Sequence, residues 1–331
     1  MTAHHDYGGR RILVTGGAGC IGASLTRALA ASGAARIVVL DDLSSASRWN
    51  LPEHPAVRFV QGSVLDDETL RGVFADKPDY VYHLAALFAN QNSVDHPEQD
   101  LMVNGLGTLK VLQHAHRTGV RRFVYASSGC SVYGSAAPLP LREDFVSIDL
   151  DTPYQITKLL GELYCNFFFH YYKLPVVRAR FFNVYGPGEI PGRYRNVIPN
   201  FLYWAMRKEP LPITGTGEET RDFTYVDDIV QGLLAAGVAE AAVGEAMNLA
   251  SGKEVTVAHL ASLINGLTDN PAGVRHVERR SWDHITRRRA SVEKAGRLLG
   301  YRPSTDFEHG VRRTWEWFGA NWDRIARDAR F

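Results

Sequence analysis

A glycine-rich stretch near the amino terminus constrains the fold of this chain more than any other feature. Residues 12–14, Ile-Leu-Val, form a short aliphatic run typical of a buried parallel strand. Glycines follow at 16, 19 and 22, and an apolar pattern with helical spacing comes next. In such a turn the first glycine permits the bend, the second lets the backbone approach a pyrophosphate, and the third allows close helix packing. Because the helix amino terminus also offers free N–H groups, the stretch predicts a dinucleotide-binding turn.

An acidic pair after the second predicted strand narrows the choice of dinucleotide. Residues 36–40 predict that strand, and Asp41 and Asp42 follow it directly. A carboxylate at this place accepts hydrogen bonds from the adenosine ribose, and its charge repels a 2′-phosphate. Ala85 and Ala86 end a later strand, where small side chains let a flat cofactor ring lie close to the backbone. We therefore predict NAD, rather than NADP, as the cofactor.

The composition argues against several classes of partner. A formal net charge of +1 over 331 residues predicts neither a nucleic acid nor an anionic membrane as partner. No apolar run approaches the roughly 20 residues of a membrane span, and the amino terminus lacks the apolar segment of a signal peptide. Cys20, Cys130 and Cys165 lie far apart, which suggests neither a disulfide framework nor a metal site. These features predict a cytoplasmic enzyme.

The order of predicted elements indicates an α/β fold. Strand and helix patterns alternate to about residue 180, which predicts a doubly wound parallel sheet of the Rossmann type. The later part is less regular and predicts a smaller α/β lobe that binds the substrate. We expect an NAD-binding domain at 1–185 that also receives about 225–255. The smaller lobe would then comprise 186–224 and 256–331.

A tyrosine and a lysine four residues apart form the second important feature. Tyr154 and Lys158 lie in a predicted helix over 152–172, where positions i and i+4 share one face. A cation near the phenol favours the phenolate and lowers its pKa, so that the tyrosine can serve as a general base. The lysine could also hydrogen-bond the nicotinamide ribose. The pair therefore predicts proton transfer beside the cofactor.

Taken together, these motifs resemble the extended short-chain dehydrogenase/reductase family, and within it the nucleotide-sugar epimerases and dehydratases. The matching segments, in order, are TGGAGCIG, the acid at 41, HLAA at 83–86, Asn104, the serine-rich VYG segment, YQITK and NVYGP. RNVIPNF, ITGTGEETRDFTYVDDI and RRRASVEKAGRLLGY match in the second half. The resemblance runs from about residue 10 to about residue 320 and implies a nucleotide sugar, with UDP favoured, as substrate.

The resemblance also implies roles for individual residues. Tyr154 would take the proton of a sugar hydroxyl beside Lys158, and Ser128 would hydrogen-bond the same oxygen. With this tyrosine and lysine, the cofactor would contact Gly16, Gly19, Cys20, Ile21, Gly22, Asp41, Ser63, Val64, Leu84, Ala85 and Ala86. The diphosphate would be held by Arg221 and by one arginine of the run that begins at Arg287 and ends at Arg289. The remaining substrate contacts would come from Ser128, Asn183, Arg193, Arg195, Asn196, Val197 and Ile213.

The chain departs from the family pattern at two places. Counted from the fifth strand, the family's catalytic serine falls on Ser128, but counted back from VYG it falls on Gly129. We expect a bulged loop with Ser128 as the catalytic residue and with Ser127 and Ser131 as alternatives. Ser63 stands where the family usually has an acid that contacts adenine, which implies weaker anchoring of that base.

The residues after Ser128 help to choose the reaction. Family dehydratases have an acidic pair there, and family decarboxylases have a glutamate there and an arginine after the catalytic lysine. This chain has Gly129, Cys130 and Ser131 in the loop and Leu159 after the lysine. The resemblance therefore favours 4-epimerisation with NAD retained. The alternatives are a decarboxylase, a dehydratase, a 3,5-epimerase that uses Cys130, and a non-catalytic NAD-sensing regulator, for which a broken Tyr/Lys pair would be expected.

Two further properties follow from the family resemblance. Arg193 and Arg195 lie near the family's sugar pocket and could pair with a glucuronate carboxylate, so a UDP-hexose and a UDP-hexuronate both stay open. The predicted helices over 101–118 and 152–172 are where the family forms an intermolecular four-helix bundle. The second helix is rich in aromatic residues, and we therefore expect a homodimer.

Overall fold

Thirteen strands and twelve α-helices make up the part of the chain, residues 6–331, that this computed structural model describes. The strands are β1 (Arg11–Thr15), β2 (Arg36–Asp41), β3 (Val57–Gln61), β4 (Tyr80–His83), β5 (Arg122–Ser128), β6 (Val176–Phe181), β7 (Val184–Tyr185), β8 (Leu211–Thr214), β9 (Thr220–Arg221), β10 (Thr224–Tyr225), β11 (Ala246–Leu249), β12 (Val255–Thr256) and β13 (Val274–Val277). The helices are α1 (Cys20–Ala31), α2 (Asp67–Phe74), α3 (Asn90–Asp95), α4 (Pro97–Asp100), α5 (Thr108–Thr118), α6 (Pro153–Tyr172), α7 (Val197–Met206), α8 (Val226–Val238), α9 (Val257–Leu267), α10 (Glu293–Leu299), α11 (Phe307–Ala320) and α12 (Trp322–Asp328).

Seven of the strands form one parallel sheet in the order β3-β2-β1-β4-β5-β6-β11. All seven residues of β5 are buried, because helices cover both faces of the sheet. Helices α1 and α8 pack together on one face, and α2, α5 and α6 pack together on the other. The strand order reverses between β1 and β4, as in dinucleotide-binding folds. The predicted Rossmann-type sheet is therefore confirmed.

Helix α6, which carries the predicted catalytic pair, has well-defined ends. The hydroxyl of Thr152 accepts a hydrogen bond from the Gln155 N–H, and Pro153 occupies the first helical position, where its missing N–H costs nothing. The helix ends at Lys173, which has a left-handed φ of 58°. These ends place Tyr154 in the first turn, beside the carboxyl end of β5.

Two helices differ from the sequence-based expectation. The predicted helix over 101–118 begins with a π-helical stretch, Leu101–Gly107, before α5. The sequence pattern predicts a helix over 201–207, but α7 begins already at Val197. Pro199 lies in its first turn, where a proline does not remove any helical hydrogen bond. Because of the earlier start, Asn196 becomes the N-cap residue of α7.

The chain returns to the main sheet late in the sequence. Helix α8 packs against α1, and β11 pairs with β6. The other strands form three two-stranded sheets, β7 with β10, β8 with β13, and β9 with β12. We retain as a proposal the division into 1–185 with about 225–255, and 186–224 with 256–331. Within residues 6–331, no helix is both long and apolar enough to span a membrane.

Candidate active site

A cavity of about 320 Å³ lies at the carboxyl ends of the central strands, where the strand order reverses. Open α/β sheets bind their ligands at this place. Every residue that we predicted from sequence to contact the cofactor lines it: Gly16, Gly19, Cys20, Ile21, Gly22, Asp41, Ser63, Val64, Leu84, Ala85, Ala86, Tyr154 and Lys158. The fold thus gathers residues from five separate segments of the sequence around one cavity.

The glycine-rich turn leaves space for a diphosphate beside the start of α1. Gly16 has a φ of 69°, and a Cβ on it would lie 2.6 Å from the backbone nitrogen of Ala85. Gly19 is the N-cap of α1, and no side chain caps the N–H groups of the first turn. These groups and the helix dipole can therefore serve an anionic ligand.

Asp41 stabilises the same turn through hydrogen bonds. Its carboxylate accepts hydrogen bonds from the backbone N–H groups of Ala18 and Leu43, both at 2.9 Å. Burial raises the pKa of this carboxyl, and the two N–H donors oppose that effect. A carboxylate has about four acceptor sites, so Asp41 can still accept from ribose hydroxyls. The turn and the acid together fit the diphosphate and adenosine ribose of NAD.

Tyr154, Lys158 and Ser128 come together at the inner end of the cavity. The Lys158 ammonium donates to the Ala126 carbonyl at 2.9 Å and lies 5.7 Å from the centre of the Tyr154 ring. The Phe88 and Tyr154 rings pack edge to face, with their centres 5.9 Å apart. The phenol is therefore held beside the end of β5, on the helix face that also carries the lysine.

The pKa of Tyr154 differs in direction from the sequence-based expectation. Burial raises it above the ordinary value for tyrosine, and the nearby Asp100 and Cys130 add to that rise. Burial also lowers the pKa of Lys158 to about 8. The expectation of a lowered tyrosine pKa is wrong, because the loss of hydration on burial raises it.

The three serines after β5 have different surroundings. Ser127 donates to the Glu162 carboxylate, and the buried hydroxyl of Ser131 has no hydrogen-bond partner among the described residues. Ser128 is the last residue of β5 and lines the cavity. Gly129 cannot be replaced by a serine, since a side chain there would overlap the Phe182 ring. The loop accommodates its extra residue as a turn in which the Ser128 carbonyl accepts hydrogen bonds from the Ser131 and Val132 N–H groups. All three serines line the cavity, and Ser128 stays the predicted catalytic residue, with Ser127 and Ser131 as alternatives.

A second cavity of about 220 Å³ adjoins the first. Of the predicted substrate contacts, six line it: Asn183, Arg193, Arg195, Asn196, Val197 and Arg221. Cys130 and Asn183 line both cavities, and the thiol donates to the Asn183 side-chain oxygen at 3.3 Å. The two cavities therefore meet at Cys130 and Asn183, and Tyr154 lines the first of them.

Three predicted substrate contacts lie elsewhere. Ile213 in β8 packs into the core, and its strand neighbours line the cavity instead, because alternate residues of a strand face opposite sides. Arg287 is exposed and pairs with Glu254 at 2.6 Å, and Arg289 also does not line the cavity. The middle arginine of the run, Arg288, lines it.

Sequence reasoning missed a further group on the wall of this second cavity. Arg280, Trp282 and Asp283 line it, and Asp283 pairs with Arg221 at 3.4 Å. The Trp282 indole donates to the Gln91 side chain at 2.9 Å, across 191 positions of sequence. A tryptophan inside a polar, arginine-rich stretch was the available signal.

Arg193 and Arg195, the predicted partners of a sugar carboxylate, are already engaged. Arg193 pairs with Asp95 at 3.2 Å. Arg195 donates to the Ser45 carbonyl in the loop after β2, on the cofactor side. Arg195 lines both cavities and Arg193 lines the second, and both guanidinium groups already have partners in the protein.

Comparisons with known proteins agree with this geometry. Residues 12–250 match the sequence profile of the NAD dependent epimerase/dehydratase family. The UDP-glucose 4-epimerase of Mycolicibacterium smegmatis is 35% identical over 93% of this chain and 98% of its own. A UDP-N-acetyl-alpha-D-glucosaminuronate decarboxylase of Bacillus cytotoxicus is 30% identical over 93% of this chain and 98% of its own. The relatives therefore include enzymes named for different reactions on UDP-sugars.

Solved structures give the same result for the fold and the cofactor. The epimerase Mth375 of Methanothermobacter thermautotrophicus has a TM-score of 0.97 and 59% identity, covering 98% of this chain and 96% of that one. The Bordetella bronchiseptica enzyme WbmF, solved with NAD+ and UDP, has a TM-score of 0.86 and 37% identity, covering 97% and 96%. The glycine-rich turn, Asp41 and the Tyr154/Lys158 pair of this chain fit the same cofactor. The chain therefore belongs to the NAD dependent epimerase/dehydratase family and takes NAD as its cofactor.

Proposed function

We propose that this protein epimerises a UDP-linked hexose or hexuronate at C4, through a 4-keto intermediate and with NAD retained. The observation that carries the proposal is the set of side chains around Tyr154. Ser128 and Lys158 lie beside it, and the loop after Ser128 carries no carboxyl group. A loop of this kind supports removal and return of hydrogen but places no carboxylic acid next to Ser128 to protonate a leaving hydroxyl.

The chain's own residues account for the proton movements. NAD would supply the chemistry of hydride removal and return at C4. Tyr154 would act as the phenolate, so that its oxygen takes the O4 proton during oxidation and gives it back during reduction, and Ser128 would hydrogen-bond O4 in both steps. Lys158 stabilises the negative charge on the phenolate. Atoms and electrons balance without any external reductant.

UDP as the carrier nucleotide is part of the same proposal. WbmF was solved with UDP, and the curated relatives named above act on UDP-sugars. The second cavity offers Arg221 and Arg280 for a diphosphate and Asn196, Val197, Pro212 and Thr214 for a base. We also place the enzyme in the cytoplasm, in keeping with three cysteines that are all unpaired.

One observation favours a second candidate, a 3,5-epimerase. Cys130 lines both cavities, within reach of a sugar held between them. A thiol there could exchange a proton on a carbon next to the ketone, which Tyr154 and Ser128 alone would not do. A decarboxylase has less support, because Leu159 follows the lysine and no glutamate stands in the serine loop.

Reaction in deuterated water separates these possibilities. We expect a purified enzyme to interconvert a UDP-hexose or UDP-hexuronate and its C4 epimer, with no deuterium bound to carbon. The hydride that leaves C4 returns to C4, and only hydroxyl protons exchange with solvent. Mass spectrometry of the product is the measurement. Deuterium on carbon would indicate a 3,5-epimerase or a dehydratase, and release of carbon dioxide would indicate a decarboxylase.

We further propose that the protein is a homodimer. The π-helical stretch and α6 expose apolar side chains on one surface, including Leu101, Met102, Ile156, Leu163, Phe167 and Tyr171. Several are more than half exposed, and their spacing on α6 forms one stripe. A second copy of the same surface would cover this stripe by two-fold symmetry.

Sedimentation velocity tests the dimer. We expect a dimer at micromolar concentration, and we expect Leu163→Glu to shift it to monomer because a charge would be buried at the centre of the interface. Glu209→Lys, on the far surface, serves as the matched control and is expected to stay dimeric. A wild-type protein that sediments only as monomer contradicts the proposal.

A further inference from the structure

Arg288 is a buried cation that forms no salt bridge with any residue of the described range 6–331. Its side chain is 4% exposed and makes one hydrogen bond, to the Gly129 carbonyl at 3.4 Å. Arg193, Arg221 and Arg287 each pair with a carboxylate. Arg195 and Arg280 also line the cavity without a salt bridge to residues 6–331, but neither is buried as Arg288 is. An unpaired charge in a buried place is unfavourable, so a group that keeps one there usually meets its partner in a ligand.

The backbone on either side directs Arg288 into the second cavity. The Thr286 carbonyl accepts a hydrogen bond from the Thr220 N–H at 2.9 Å, and the Arg289 carbonyl accepts from the Leu141 N–H at 2.8 Å. The segment is therefore held extended between two other parts of the chain. Neighbouring residues of an extended segment face opposite sides, which places Arg288 inward and Arg287 outward.

The position of Arg288 along the cavity indicates which part of a ligand it meets. It contacts the backbone of Gly129, the residue directly after Ser128, and it lies near Cys130 at the junction of the two cavities. That is the end where the reacting sugar must lie. Arg221 and Arg280 also line the cavity and are available to the diphosphate.

We propose that Arg288 binds a carboxylate at C6 of the sugar, so that the preferred substrate is a UDP-hexuronate. The planar guanidinium can donate two parallel hydrogen bonds to a carboxylate, whereas a hydroxymethyl group at C6 would leave its charge unpaired. This assignment rests on the proposed binding of a UDP-sugar but not on the reaction that follows. It replaces the expectation that Arg193 or Arg195 meets the carboxylate.

Binding measurements test the assignment without turnover. Isothermal titration calorimetry of the NAD-loaded Tyr154→Phe enzyme would give dissociation constants for UDP-glucuronate, UDP-glucose and UDP. The 2-acetamido forms of the two UDP-sugars would be measured in the same way. We expect at least one uronate to bind about tenfold or more tightly than its hexose. Adding Arg288→Met to this enzyme should raise the dissociation constant of that uronate by about 30-fold or more. The dissociation constant of UDP should change by less than about threefold.

Two further variants make the result specific. Arg288→Lys keeps a charge but loses the two-pronged geometry, so it should retain part of the uronate preference and report on the site if the methionine variant does not fold. Arg297→Met, an exposed arginine on α10, is the matched control and should bind all ligands as before.

Three outcomes would overturn the assignment. If Arg288→Met weakens the binding of UDP-glucuronate, UDP-glucose and UDP equally, the guanidinium contacts the diphosphate. Unchanged binding of all ligands, or no uronate preference in the starting enzyme, would remove Arg288 from carboxylate recognition. A uronate preference that depends on Arg288 would stand even if the deuterium experiment excluded 4-epimerisation, which keeps the two proposals distinguishable.

Discussion

A Tyr154→Phe enzyme is expected to lose at least about two orders of magnitude in turnover while its NAD stays bound. The change removes one oxygen atom, the only atom in the pair that we assign to proton transfer. The ring still fills its place against Phe88, and the cavity around the cofactor keeps its other walls. The loss should therefore appear in kcat, with bound NAD measured from the absorbance of the purified protein unchanged.

A matched control for this prediction lies on the same helix. Tyr164 on α6 is partly buried and lies outside both cavities, so Tyr164→Phe should leave turnover within about twofold of the wild type. Near-normal turnover in Tyr154→Phe would mean that another group takes the proton. The same assay separates the serines, because Ser128→Ala should reduce turnover more than Ser131→Ala does.

A Glu162→Ala protein is expected to lose about 3–5 kcal/mol of its free energy of unfolding. Glu162 and Arg180 form a two-pronged ion pair, with both nitrogen–oxygen distances at 2.8 Å and side chains only 3% and 2% exposed. Removing the carboxylate would leave a buried guanidinium without its partner. We expect the midpoints of thermal unfolding and of denaturant unfolding both to be lower than in the wild type.

This ion pair also connects the elements that carry the groups to which we assign catalysis. Glu162 lies four residues after Lys158 on α6, and it accepts a hydrogen bond from Ser127, the neighbour of Ser128 on β5. Since Arg180 belongs to β6, the pair links the catalytic helix to both strands beside it. Loss of the pair should therefore lower activity in parallel with stability.

The contribution of the pair depends on pH with a definite sign. Burial alone would raise the pKa of Glu162, but the hydrogen bonds and charge of Arg180 hold it below the ordinary value. A lowered pKa means that the stabilisation is complete above the unfolded value of about 4.3 and is lost as the pH falls through the lower folded value. The difference between wild type and Glu162→Ala should thus shrink only in acid.

Two controls bear on this stability prediction. Glu209→Ala breaks an exposed pair with Arg207 and should cost less than about 1 kcal/mol. The double variant Glu162→Leu with Arg180→Met replaces the ions with apolar groups and should recover most of the loss. A Glu162→Ala protein that unfolds at the wild-type midpoint would contradict the assigned role.

The features that sequence alone predicted are the ones whose geometry is local. A strand, a glycine turn and a helix follow one another within 21 residues in β1 and α1, so their spacing already defines the turn at Gly16. Asp41 ends the next strand, and Tyr154 and Lys158 are one helical turn apart. Backbone geometry relates such positions in every α/β fold of this order, so the cofactor and the shared position of Tyr154 and Lys158 could be predicted without coordinates.

The tertiary structure decided which residues of the second half face the ligand and how the site is charged. Within the arginine run, backbone contacts to Leu141 and Thr220 hold the segment so that Arg288 faces inward. Trp282 reaches Gln91 across 191 positions, a contact that no local pattern predicts. Burial likewise raised the pKa of Tyr154, where the local spacing suggested the opposite. Each outcome depends on packing between segments far apart in the chain, because long-range packing determines which way a side chain faces and how much water it loses.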